Sequence, residues 1–203
     1  GTLNYDADHY GEAIVALQKL VELDPELGPA WAFLGLSEFE TRDYKNSLAH
    51  LQNAHQRGYG DDNELAKVAK YHLAVLFNFT GEYEKSLELF GSDATRVQVP
   101  DQIKVVLGMS LLRIPLLPNE VDPGKDALIH TAGDAAAMLA SGNQASAAEM
   151  LRKLLQDDPK TPYLHYALAA VLVDSGKTTD ALTELDQETK ITPASPLPYI
   201  RMA

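Results

Sequence analysis

The chain has no cysteine in its 203 residues, which excludes disulfides, zinc–thiolate sites and thiol nucleophiles but leaves the compartment undecided. No apolar run reaches the ~18 residues that a membrane-spanning helix needs. Basic residues are scarce: 17 Lys and Arg stand against 29 Asp and Glu, a formal net charge of −12. That balance disfavours nucleic acid and anionic membrane surfaces as partners, because both need a basic footprint. It favours solubility and would attract basic partners. No signal peptide is present, and the chain starts with Gly1, not Met, so any upstream targeting segment would have been removed.

Catalytic and metal motifs are equally sparse. The stretch VLVDSGKTT, Val171 to Thr179, ends like a phosphate-binding loop, but Val171 stands where that loop needs its first glycine. Six histidines are scattered, and none forms the His-Glu-x-x-His pair that presents two zinc ligands on one helical face. His50 and His55 read as solvated, and His165 as packing. No Gly-x-Ser-x-Gly elbow is present for a nucleophilic serine. Asp61, Asp62 and Glu64 lack the alternating spacing of a calcium loop and read as helix caps. No cofactor, no metal and no enzymatic activity are therefore expected.

What the chain does contain is a helical pattern that repeats. In WAFLGLSEFETRDYKNSLAHLQNA, Trp31 to Ala54, the apolar positions Trp31, Leu34, Gly35 and Phe39 line one helix, and Tyr44, Ser47, Leu51 and Ala54 the next. Gly35 and Ser47 are small enough for two backbones to approach closely. Tyr10, Ala13, Leu17 and Leu20 lie 34 residues before the second set. Farther on, Ala135, Gly142, Ala147, Leu151 and Pro159 recur 34 residues later as Ala169, Gly176, Ala181, Leu185 and Pro193. This helix–turn–helix period resembles the tetratricopeptide repeat. So do Trp31, Leu34, Gly35, Tyr44 and Ala54, the small Ser47, and the ELDP ending at Pro25. The resemblance implies an all-α, right-handed superhelix of helical hairpins, with one repeat degenerate.

The expected organisation is an N-terminal array over 1–113, a Pro-rich connection at 114–124 and a C-terminal array over 125–203. The first array holds a partial hairpin at 10–27, hairpins at 28–61 and 67–93, and a helix at 100–113. The second holds hairpins at 126–159 and 162–193 and the start of another at 196. The Tyr44-to-Tyr83 spacing is five residues too long, and the extra residues are expected in or around RGYGDDNEL. VVLGMSLL, Val105 to Leu112, echoes AFLGLSEF as the first helix of the degenerate repeat. Its second helix is expected to be lost in IPLLPNEVDPG, where Pro115, Pro118 and Pro123 forbid a normal helix. Both ends cut through repeats, as in a piece of a longer array.

In the family that the chain resembles, the first helix of each hairpin lines a concave groove, the usual site for peptides. Carried onto this sequence, the principal groove residues are Phe39, Tyr71, Val75, Asn78, Phe79, Met109, Tyr163 and Tyr166. The wall is apolar and aromatic, and of the Lys, Arg and Asn that clamp a peptide carboxylate only Asn78 is present. The resemblance thus implies a non-enzymatic protein-interaction scaffold, with a protein or peptide partner of unspecified identity. Two alternatives stay open: the groove is filled by the protein itself, or the array is a regulatory or sensor domain of a larger multidomain protein.

Overall fold

The computed structural model describes residues 9–90 and 99–203. Among the described residues the regular structure is helical throughout, and helices adjacent in sequence pack in pairs, as expected of an all-α hairpin protein. The α-helices are α1 (Tyr10–Leu23), α2 (Gly28–Glu40), α3 (Tyr44–Arg57), α4 (Asn63–Phe79), α5 (Tyr83–Leu89) and α6 (Asp101–Leu111). They continue as α7 (Asp126–Ala140), α8 (Gln144–Asp157), α9 (Leu164–Asp174), α10 (Thr178–Ile191) and α11 (Leu197–Met202). The chain divides into two compact units, Gly1–Phe77 and Asn78–Ala203. The stub expected before Tyr10 and the end of the 67–93 hairpin fall outside the described residues.

In the first unit the α2–α3 hairpin closes on the small residues that the sequence places there. A Cβ added at Gly35 would lie 2.7 Å from Leu51 Cγ, and the Ser47 hydroxyl donates to the Gly35 carbonyl at 2.7 Å. Trp31 Nε1 and Arg57 Nε both donate to the Pro25 carbonyl, at 2.7 and 2.6 Å, which ties the turn before α2 to the end of α3. His50 is not solvated: its Nδ1 meets Glu38 Oε2 at 2.6 Å, and its ring lies 5.3 Å from that of Trp31. The buried Glu38 carboxylate needs that partner.

The five extra residues after Tyr44 are mostly not in the loop. α4 has 17 residues where α2 has 13, an added helical turn, and the loop 58–62 is one residue longer than 24–27. Asp62 Oδ1 accepts from the N–H groups of Glu64 and Leu65, starting α4 two residues after Asp61 and well before the expected position 67.

In the second unit the Pro-rich stretch forms two short 3-10 turns, Pro118–Glu120 and Pro123–Lys125, and no α-helix. It does not part the helices around it. A Cβ at Gly108 would lie 2.0 Å from the Ile129 carbonyl oxygen, and one at Gly133 2.0 Å from that of Lys104, so α6 and α7 cross in backbone contact. Lys104 Nζ bridges the crossing to Asp134 Oδ1 at 2.8 Å, and this hydrogen bond raises the lysine pKa. α7 thus takes the place beside α6 that the missing second helix leaves open.

Candidate partner-binding surfaces

In the first unit, Phe39 near the end of α2 and Tyr71 on α4 are both half-buried, and His72 joins them. The His72 ring stands edge-on to Phe39 at 4.6 Å and to Tyr71 at 5.1 Å, while Tyr44 on α3 lies 5.4 Å from Phe39. Three helices therefore contribute four rings to one aromatic patch. His72 Nδ1 donates to the Val68 carbonyl at 2.8 Å. Burial pushes the imidazole below its ordinary pKa, against the opposing pull of the Val68 carbonyl and Glu40. Burial also raises the Tyr71 phenol, so the patch is uncharged at neutral pH.

Three of the eight expected groove residues are interior. Val75 is 1% exposed, although it stands on the same line of α4 as Tyr71 and Phe79, four residues from each. Met109 is fully buried in α6. Asn78 is 1% exposed, and its amide is spent inside the second unit: Nδ2 donates to the Val106 carbonyl at 2.9 Å, and Oδ1 accepts from Ser110 Oγ at 2.8 Å. These first helices bury more than one face, so the exposed strip is narrower than the resemblance implies. Phe79, at the end of α4, is 36% exposed.

Tyr163 and Tyr166 surround an arginine that sequence reading did not single out. The Arg113 guanidinium lies 5.2 Å from the Tyr83 ring centroid, 5.9 Å from Tyr163 and 5.2 Å from Tyr166, and it is ion-paired with Glu84. Its side chain is only 11% exposed. Arg113 ends α6 with φ +52, and Ile114 N–H then donates back to the Met109 carbonyl at 2.9 Å. The same closure follows α7 and α9, where the left-handed residue is Gly142 or Gly176. An L-residue with a side chain is disfavoured in that conformation, and at Arg113 the tyrosine contacts offset the cost. A second guanidinium, Arg201 of α11, lies 5.2 Å from the Tyr166 ring.

Glu188 of α10 positions both tyrosines from beneath. Fully buried, it accepts from the backbone N–H of Tyr163 at 2.8 Å and of Tyr166 at 3.2 Å, and from Thr192 Oγ1 at 2.9 Å. It caps α9 in place of a local N-cap side chain. A signal was present, since Glu188 falls 34 residues after the apolar Leu154. His165 does serve the structure, pairing its Nδ1 with Glu184 Oε2 at 2.6 Å across the hairpin. An open depression of about 620 Å³ lies beside Tyr163, lined by Ile191 to Leu197.

Among the described residues no group of three or more His, Asp or Glu side chains is arranged to hold a metal, and no helix is long and apolar enough to cross a membrane. Every buried side-chain polar atom described has a hydrogen-bond partner.

The tetratricopeptide repeat family model matches residues 138–198. No curated protein matches the chain in sequence. Among solved structures it is similar to the TPR2AB domain of yeast Sti1, described in complex with pHSP90, at 17% identity and a TM-score of 0.42, covering 100% of this chain and 78% of that one. It is also similar to YrrB, described as a TPR protein with an unusual peptide-binding site, at 15% identity and a TM-score of 0.38, covering 92% of this chain and 97% of that one.

Proposed function

We propose that this chain, whose residues 138–198 are tetratricopeptide repeat, is a non-enzymatic protein-interaction scaffold that holds a partner segment on the aromatic faces of its hairpins. The observation that carries the reading is the uncharged patch of Phe39, Tyr44, Tyr71 and His72 on the first unit. Half-exposed aromatics offer large contact area at small conformational-entropy cost and are over-represented among residues that dominate binding energy. Val75, Asn78 and Met109 are core and take no part in contact with a partner. Phe79, Tyr163 and Tyr166 remain surface candidates.

The test is selection from a random peptide library on the whole chain, followed by rebinding to Tyr71→Ala and Phe39→Ala. Selected peptides should lose binding to both variants while circular dichroism stays unchanged. Peptides that bind the folded variants as tightly as the parent, or a selection that yields no binder, would overturn the reading.

A further inference from the structure

We infer that the ring of Tyr166 is a receptor face for an arginine side chain of a bound segment, with Arg201 as its internal stand-in. This rests on the scaffold reading and names the chemistry of the partner. Two guanidiniums already use the ring, each 5.2 Å from its centroid, and they are held very differently. Arg113 is ion-paired with Glu84, sits over three tyrosine rings and is almost closed off from solvent. It is a fixture that shapes the site. Arg201 is exposed, rides on the six-residue helix α11 and makes no ion pair among the described residues.

A guanidinium held at the surface by one ring is at the weak end of cation–π contacts. An arginine carried by a docked segment can therefore displace it, against the advantage that tethering to the same chain gives Arg201. The field favours such a partner, because the chain carries a formal charge of −12. The planar, weakly hydrated guanidinium stacks on an aromatic face better than a lysine ammonium does, so arginine should be preferred over lysine. Tyr163, which shares the Arg113 guanidinium with Tyr166, also lines an open depression walled by Pro193, Pro196 and Leu197, apolar surface of the kind that an aliphatic stem covers.

The probe is the blocked tripeptide acetyl-Gly-Arg-Gly-amide, with lysine and norleucine versions, titrated into the whole chain and followed by NMR shifts. Removing the competitor in Arg201→Ala should tighten the arginine peptide by about 3–10-fold. The lysine version should bind more weakly, and the norleucine version should not bind. In the Arg201→Ala background, Tyr166→Phe should keep the site and Tyr166→Leu abolish it. Equal affinity of parent and Arg201→Ala, equal binding of lysine, binding that survives Tyr166→Leu, or no arginine binding at all would overturn the inference. If Tyr166→Leu fails to fold, the Arg201→Ala and Tyr166→Phe comparisons decide. Should the arginine site fail while library peptides still depend on Tyr71, only this inference falls.

Discussion

The carboxylate of Glu188 accepts the backbone N–H of Tyr163 at 2.8 Å from 25 residues farther along the chain, so one buried acid in α10 caps α9. The same acid receives the N–H of Tyr166, and both tyrosines depend on it for where they stand. Glu188→Ala should destabilise the protein by about 2–4 kcal/mol, since it leaves two helix-end donors buried without their charged acceptor. Glu188→Gln keeps one acceptor but turns an amide N–H₂ toward a backbone donor, and should fall between. Urea unfolding measures both; an alanine variant as stable as the parent would mean that the cap contributes nothing.

The two left-handed arginines separate backbone strain from side-chain contact. Arg42, φ +63, is exposed, and Arg113, φ +52, is held among tyrosines. Glycine relieves ~1–2 kcal/mol of strain at either position but costs part of that in unfolded-chain entropy. Arg42→Gly should therefore range from neutral to about 1 kcal/mol more stable. Arg113→Gly should lose about 1–3 kcal/mol net, because a desolvated cation–π cluster and an ion pair disappear with the side chain. Comparable effects at the two positions, read by denaturant midpoints, would remove the stabilising role assigned to the tyrosine cluster.

Glycine contacts predict a ranking. At Gly35 the added methyl meets Leu51 Cγ at 2.7 Å and the Leu51 backbone N at 3.0 Å, a milder clash, so Gly35→Ala should cost about 1–3 kcal/mol. At Gly108 it meets the Ile129 carbonyl at 2.0 Å, which cannot move without parting α6 from α7. Gly108→Ala should exceed Gly35→Ala, at ~3 kcal/mol or more. Thermal midpoints in the reverse order would contradict the backbone crossing.

Much of this fold was legible in the sequence because spacing encodes it. The 34-residue offsets located the α2–α3 and α9–α10 hairpins, and Gly35 and Ser47 announced their contact. What escaped were features that periodicity does not carry. The added turn of α4 hides in the sequence because one turn of helix preserves the facing pattern on which the register rests. The α6–α7 crossing depends on Gly108 meeting Gly133 across a Pro-rich stretch with no repeat register. The surface was legible only in part. A helix wheel places Val75, four residues on, and Asn78, seven residues on, beside Tyr71, but burial is decided by which neighbours the other faces meet, and those neighbours are distant in sequence.

The aromatic patch carries its own pH signature. The folded chain holds the His72 imidazole below its ordinary value of 6.5, chiefly through burial, while the unfolded chain does not. As pH falls through 6.5 toward the folded value, the unfolded state binds the proton first, and stability is lost. Glu40 and Tyr71 face the ring and stay in place in the comparison variant. His72→Phe should flatten the decline between about pH 7 and pH 5. A parent and variant with parallel pH–stability curves would contradict the burial of a neutral imidazole there.

The most direct test of the scaffold reading is a calorimetric titration of a library-selected peptide into the parent chain and into Tyr71→Ala, at low and at high salt. The parent should bind with an affinity that changes little with salt, because the patch is uncharged and screening acts on charges. Tyr71→Ala, with an unchanged circular dichroism spectrum, should lose ~2–4 kcal/mol of binding free energy. Equal affinities for the two folded proteins, or binding that vanishes with salt alone, would contradict an aromatic partner-binding surface.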